Sequence, residues 1–186
     1  MRKLTALVMA ICLILALNVQ AAAEETEALT PTCIPTEAVE DSDFLVEVEQ
    51  GIIEAINEER ESLGLGTLKY SEKLRSAARI RSKELCTSGV WAHTRANGDP
   101  WQTVLSKDIL VKYKSAGENL ANIMYNDPNL SYHSDPNWWF NEWKSSEEHY
   151  TNIIREEFTH IGVGVYYIID DAGMKTAYAT TTFAKL

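Results

Sequence analysis

The chain has 186 residues, 45% of them apolar and 24% charged, with 17 basic against 27 acidic residues and a net charge of −10. That balance argues against nucleic acid and anionic membrane surfaces as partners unless a local basic patch offsets it. The length suits one ordinary domain with a real core, at roughly 100–200 residues per domain.

The chain opens like a secretory leader. Arg2 and Lys3 precede an apolar run from Leu4 to Leu17, and Ala21-Ala22-Ala23 offers small residues for cleavage, so residues 1–23 read as a signal peptide. The apolar run is shorter than the ~20 residues a membrane-spanning helix needs, and no later segment replaces it, so no membrane span is expected after cleavage. Losing Arg2 and Lys3 takes the net charge from −10 to −12. Residues 24–42, with Pro31 and Pro35, read as an irregular arm, and the folded domain as residues 43–186. Cleavage leaves Cys33 and Cys86, an even count that permits one disulfide in an exported protein; two free thiols or an intermolecular bond are the alternatives.

Leu45, Val48, Ile52, Ala55 and Ile56 recur at helical spacing and predict a helix over 43–62, followed by Gly64 as a cap. Ser71 opens a second helix, with Leu74, Ala77, Ala78 and Leu85 on one face and Gly89 closing it. Lys69 to Lys83 also carries Lys73, Arg75, Arg79 and Arg81, read as a solvated helix face rather than a binding patch. Gly98-Asp99-Pro100 marks a turn leading into a short helix through about Ser106. Glu118 to Tyr125 reads as a strand, and a loop runs between Asp127-Pro128-Asn129 and Asp135-Pro136-Asn137. A helix from Trp138 to about Ser146 follows, then a hairpin of Ile161–Ile169 and Lys175–Phe183 about the turn Asp171-Ala172-Gly173. Helices followed by a hairpin that joins an earlier strand predict an α+β fold in three layers, with a mainly antiparallel sheet between helices.

Three segments carry ionisable residues with chemical potential. His93 lies in a loop after Trp91, and functional side chains favour loops held by a rigid scaffold. Glu118 enters an apolar strand, where an inward carboxylate needs a cation, a metal or a histidine beside it. His149 follows Glu142 by seven residues, which on a continuous helix places both on one face, with Ser146 close to it; Glu147 and Glu148 point elsewhere. His133 and His160 have no carboxylate at helical or strand spacing and stay in the background. No His-Glu-x-x-His helix, Gly-x-Ser-x-Gly turn or glycine-rich phosphate loop is present.

Taken together, Trp91-Ala92-His93-Thr94-Arg95-Ala96-Asn97-Gly98, Gly117-Glu118-Asn119-Leu120-Ala121, His149-Tyr150-Thr151-Asn152-Ile153 and Ile161-Gly162-Val163-Gly164 resemble the bacterial branch of the CAP superfamily. That superfamily is also known for its SCP domain, shared by cysteine-rich secretory proteins, antigen 5 and plant pathogenesis-related proteins. The opening helix with Ala55-Ile56-Asn57-Glu58-Glu59-Arg60 fits as well, so the likeness covers roughly residues 50–186. The resemblance implies an α-β-α sandwich with a cleft holding a His/Glu/Glu/His tetrad. By position His93 and His149 are its histidines and Glu118 its first glutamate. Counting from Trp139 makes Glu142 the second glutamate, whereas counting from Trp143 puts Ser146 there.

Two functions follow as expectations. The first is a secreted, monomeric binding module of the extracellular space or cell envelope, taking a lipid, a small molecule or a protein. Its two histidines would hold a divalent ion, with Zn2+ favoured by imidazole donors. The alternative is a metal-dependent hydrolase or peptidase, in which a metal on His93 and His149 activates water with Glu118, or less directly Glu142, as the acid/base carboxylate.

Overall fold

The computed structural model describes residues 44–186. The expected leader (1–23), the arm (24–42) and Cys33 lie outside the described residues. Helix α1, Val46–Ser62, buries Val48, Ile52, Ile53, Ala55 and Ile56, and the chain leaves it through Gly64 in the left-handed region, φ 73°. Ser71 accepts a hydrogen bond from the Leu74 amide and starts α2, Glu72–Ser88, which Gly89 ends at φ 67°. Both helices follow the periodicity that predicts them.

A two-residue strand β1, Lys69–Tyr70, precedes α2. Strand β2 spans Ser115–Tyr125, three residues longer at its start than its apolar pattern suggests. Helices α3, Pro136–Lys144, and α4, Glu147–Ile153, then lead to the hairpin of β3, His160–Ile169, and β4, Lys175–Lys185. The sheet order is β1-β3-β4-β2. β4 runs antiparallel to both β2 and β3, while β1 pairs parallel with β3 through Lys69–His160 and Tyr70–Ile161, so the sheet is mixed and mostly antiparallel. β1 escapes a periodicity argument because two residues cannot show alternation.

Side chains alternate across the sheet and build the three layers. One face carries Ile161, Val163, Val165, Ala177, Ala179 and Phe183 against α1, Trp139 and Trp143 of α3, and Ile153 of α4. The other face meets α2, with Leu120, Tyr166 and Tyr178 around Leu85 and Cys86, and Ala184 near Leu74 and Ala77. On that face Gly162 and Gly164 let α2 lie directly on the backbone of β3. A Cβ at Gly162 would stand 2.0 Å from the Arg75 nitrogen, and one at Gly164 2.4 Å from that of Arg79.

Three expectations are corrected. The short helix expected from Pro100 through about Ser106 is present but starts later and is a π-helix, Val104–Asp108, closed by the Ile109 amide on the Val104 carbonyl at 3.0 Å; it buries Val104 and Leu105 together against α2. The helix expected from Trp138 to about Ser146 starts at Pro136 and stops at Lys144. Ser146 adopts an extended backbone and caps a separate α4, so Glu142 and His149 do not share one helix face. The basic stretch of α2 is also not a solvated face. Arg81 is 1% exposed, and Arg75 and Arg79 converge on Glu49 of α1, itself 2% exposed, at 2.8 and 2.9 Å.

Glu49 also accepts from the Val165 amide at 3.1 Å, at a stretch of β3 that the short β1 leaves without a strand neighbour. Replacing it strands two cations and an amide. Glu49→Ala is therefore expected to lower the unfolding free energy by about 3–5 kcal/mol, the cost of breaking a buried ion pair by removing one partner. Urea unfolding followed by circular dichroism reads this, and a loss below about 1 kcal/mol would show the cluster to be solvated in solution.

Candidate functional site

β2 is an edge strand, and its alternation sends neighbouring residues to opposite layers. Glu118 turns toward α2 and Asn119 toward α4. The Glu118 side chain is fully buried and both its carboxylate oxygens are engaged: Arg81 Nε donates to Oε2 at 2.8 Å, and His93 Nδ1 lies 2.8 Å from Oε1. A carboxylate only accepts, so Nδ1 carries the proton and the His93 ring keeps Nε2 as its open nitrogen. The His93 side chain is 55% exposed.

The loop that brings His93 there is held from several sides. Arg81 donates a second bond to the Ala92 carbonyl at 2.8 Å, and a third to Glu84 at 3.0 Å. Arg95 reaches the carboxylate of Glu84, that of Asp108 at 2.7 Å and the Thr103 hydroxyl at 3.2 Å. The backbone closes on itself through Trp101 N–H to His93 O at 3.1 Å and Gly98 N–H to Arg95 O at 2.9 Å, with Gly98 at φ 85°. Trp91 leans on Tyr178, with ring centroids 6.0 Å apart.

On the other layer Asn119, fully buried, donates to the His149 carbonyl at 2.9 Å and accepts from Asn152 at 2.8 Å. This fixes α4 against β2. Gly117 makes room for it, since a Cβ there would lie 2.9 Å from Asn152 Oδ1. Arg60 of α1 holds the far end of the same helix by donating to the Ile153 carbonyl at 2.7 Å. His149 is thereby fixed by its backbone while its half-buried ring stays near His93. Burial pushes the His149 imidazole below its ordinary value, the charge of His93 pushes the same way, and Glu148 opposes both.

The structure thus brings His93, Glu118 and His149 together at the β2 edge. Ser146 uses its hydroxyl to accept from the His149 amide at 3.4 Å, as a helix cap. Glu142 lies exposed on α3, beyond the break between the helices, and takes no part in the hydrogen bonds that join His93, Glu118 and Arg81. Of the two background histidines, His133 stacks on Tyr167 at 4.2 Å and His160 contacts the Thr159 hydroxyl at 2.8 Å, each within its own packing. Arg81, Asn119 and Asn152 are the positioning residues that sequence reasoning missed. An inward glutamate calls for a cation, a metal or a histidine beside it, but nothing in the spacing of α2 singles out Arg81.

Zinc sites commonly use three or four protein donors. Among the described residues no group of three His, Cys, Asp or Glu side chains is arranged to hold a metal ion. Both Glu118 oxygens are already taken, so the site offers two imidazoles and does not fit a complete zinc centre.

The chain matches the model of the cysteine-rich secretory protein family, CAP, over residues 53–175. It is 32% identical over 117 residues to the YkwD protein of Bacillus subtilis, a match covering 62% of this chain and 41% of that protein. The fold is similar to an extracellular SCP-domain protein of Bacillus anthracis, at TM-score 0.62 and 24% identity over 76% of this chain and 41% of the other. It is also similar to an outer surface protein of Borrelia burgdorferi, at TM-score 0.58 and 20% identity over 79% and 96%. The chain therefore spans less than half the length of the two Bacillus relatives.

The coupling of the two imidazoles is measurable. His149 is expected to titrate below the ordinary histidine value of 6.5, and His93→Gln to move its midpoint upward by removing a like charge. Because the folded-state value is lowered, the unfolded chain binds the extra proton. The contribution of His149 is present above about pH 6.5 and is lost as pH falls below it. NMR titration of the ring protons tests this; a midpoint unmoved in His93→Gln would separate the rings.

Proposed function

The chain belongs to the cysteine-rich secretory protein (CAP) family, and on that footing we infer that it is a secreted binding module. Its ligand, a lipid, a small molecule or a segment of protein, is taken up at the β2 edge by His93 and His149. The observation that carries this reading is the engagement of Glu118. The one buried carboxylate of the site gives both oxygens to positioning, and leaves two imidazoles at the surface as hydrogen-bonding groups. A hydrolase needs a nucleophile, a free base and charge stabilisation in fixed geometry. A carboxylate held by Arg81 and His93 orients an imidazole but does not itself approach a substrate.

Placement outside the cell, or at its envelope, is supported by the leader-like start and by the extracellular and outer-surface descriptions of the two structural relatives. No helix among the described residues is long and apolar enough to cross a membrane. Nucleic acid is a poor partner for a chain of net charge −10 whose α2 arginines are paired with Glu49, Glu84 and Glu118.

The imidazole pair also suits an open divalent-metal site in which the ligand completes the coordination, and such an ion would serve to tether the ligand. Zinc titrated into the full chain by calorimetry is expected to bind through the pair and to lose that binding in His93→Ala/His149→Ala. Equal binding by the variant, or none to either protein, removes metal from the reading.

For the hydrolase alternative the test is a screen of peptide and ester substrates on wild type and Glu118→Gln, with folding checked by circular dichroism. No turnover is expected. Turnover in the wild type that falls at least a hundredfold in a folded Glu118→Gln would overturn the binding reading.

A further inference from the structure

The second half of β2 carries backbone groups that no strand takes up. Val165 of β3 turns its N–H to Glu49 and its C=O to the Leu45 amide, away from β4. Backbone groups alternate along a strand, so Gly164 and Tyr166 bond β4 at Thr180 and Tyr178, and Ala177 and Ala179 turn toward β2. Their partners there are Ile123 and Ala121, which leaves Asn122 and Met124 with N–H and C=O directed away from the sheet. Among the described residues these four groups have no hydrogen-bond partner. The first half of the same edge is covered, with Glu118 and Leu120 only 4% and 5% exposed, whereas Asn122 is exposed and Met124 is 45% exposed.

Proteins usually guard such an edge with charge, proline or a bulge. Asn119 to Tyr125 contains no charged residue, proline or glycine, and the pairing with β4 runs unbroken from Ser115–Lys185 to Tyr125–Lys175. What borders the edge suits a guest instead. On the α3 side Ile123 is followed by Tyr125, whose ring lies 5.8 Å from that of Tyr132, and Tyr132 is 39% exposed. The covered half leads to Glu118 and Asn119, which hold His93 and His149. Asp127 just after the strand and Glu148 on α4 are both exposed.

We propose that the Asn122–Met124 edge receives an extended peptide segment of a partner protein as a fifth strand. In strand addition the main chain supplies affinity and alternate side chains supply specificity. One row of the guest's side chains lies beside Ile123 and Tyr125 and is apolar, and basic residues at its ends face Asp127 and Glu148. A second copy of this chain is a poor guest, because it brings a net charge of −10 against an equal charge. The guest strand is the ligand class of the binding module inferred above, and rests on that reading.

Hydrogen exchange of the full chain, followed by NMR, tests the edge first. The Ala121 and Ile123 amides, bonded to β4, are expected to exchange at least tenfold more slowly than those of Asn122 and Met124. Slow exchange at all four means that another segment or a second copy already covers the edge, and overturns the proposal. A displayed library of random ten-residue peptides is then selected against the full chain. Recovered peptides are expected to slow exchange at Asn122 and Met124 at least tenfold. They are also expected to bind Asn122→Pro at least tenfold more weakly, since that change removes an outward N–H and no bond to β4. Peptides N-methylated at alternate residues lose the pairing donors without altering the protein, and replace the variant if circular dichroism shows it unfolded. A library that yields no binder, or binders indifferent to the proline and to N-methylation, overturns the proposal. Binding that survives His93→Ala/His149→Ala but not Asn122→Pro upholds the added strand and removes the imidazoles from the ligand's contacts, so the two readings fail separately.

Discussion

A carboxylate taken out of water must be met by cations or hydrogen-bond donors, and two glutamates in this domain meet that demand through one helix. Glu49 from α1 takes Arg75 and Arg79, and Glu118 from β2 takes Arg81. Breaking either pair leaves a charge buried without compensation, so the rotation and position of α2 are set by charge as well as by apolar contact. The same demand places the site. Arg81 satisfies one oxygen of Glu118, the other oxygen needs a donor, and the loop after α2 supplies His93.

The two glutamates also close both long sides of the sheet. On the side away from β4, β3 has no strand beside it beyond Ile161, and Glu49 takes the outward Val165 amide while Leu45 takes the matching carbonyl. On the β2 side the closure is made by side chains, with Asn119 reaching α4 and Glu118 reaching the His93 loop. What distinguishes the β2 side is that its closing group is half in water. An imidazole bound to a buried anion at one nitrogen presents the other outward in a fixed tautomer.

Much of this was legible in the residues. The periodicity of Leu45 to Ile56 and of Leu74 to Leu85, the capping signals at Ser71 and Gly89, and the hairpin about Asp171-Ala172-Gly173 all correspond to observed elements. His93, Glu118 and His149 were readable as a group because each stands in a motif that composition alone does not explain. The failures have physical causes. Arg75, Arg79 and Arg81 look like surface charges to any pattern that counts polarity, since their burial depends on glutamates distant in sequence. The helix expected to run from Trp138 to about Ser146 is cut because Ser146 serves better as a cap for the next helix than as an interior residue. Glu142 consequently loses the spacing that linked it to His149.

The close seating of α2 on Gly162 and Gly164 has a mechanical meaning. With backbone against backbone and no side chain between, the helix and β3 have no compressible layer and move as one body. His93 belongs to that body through Arg81 and Arg95. His149 rides instead on a seven-residue helix held at its ends by Asn119 and Arg60. The spacing of the two imidazoles is therefore set at a joint between a massive part and a light one, and a change in it displaces α4, not the sheet.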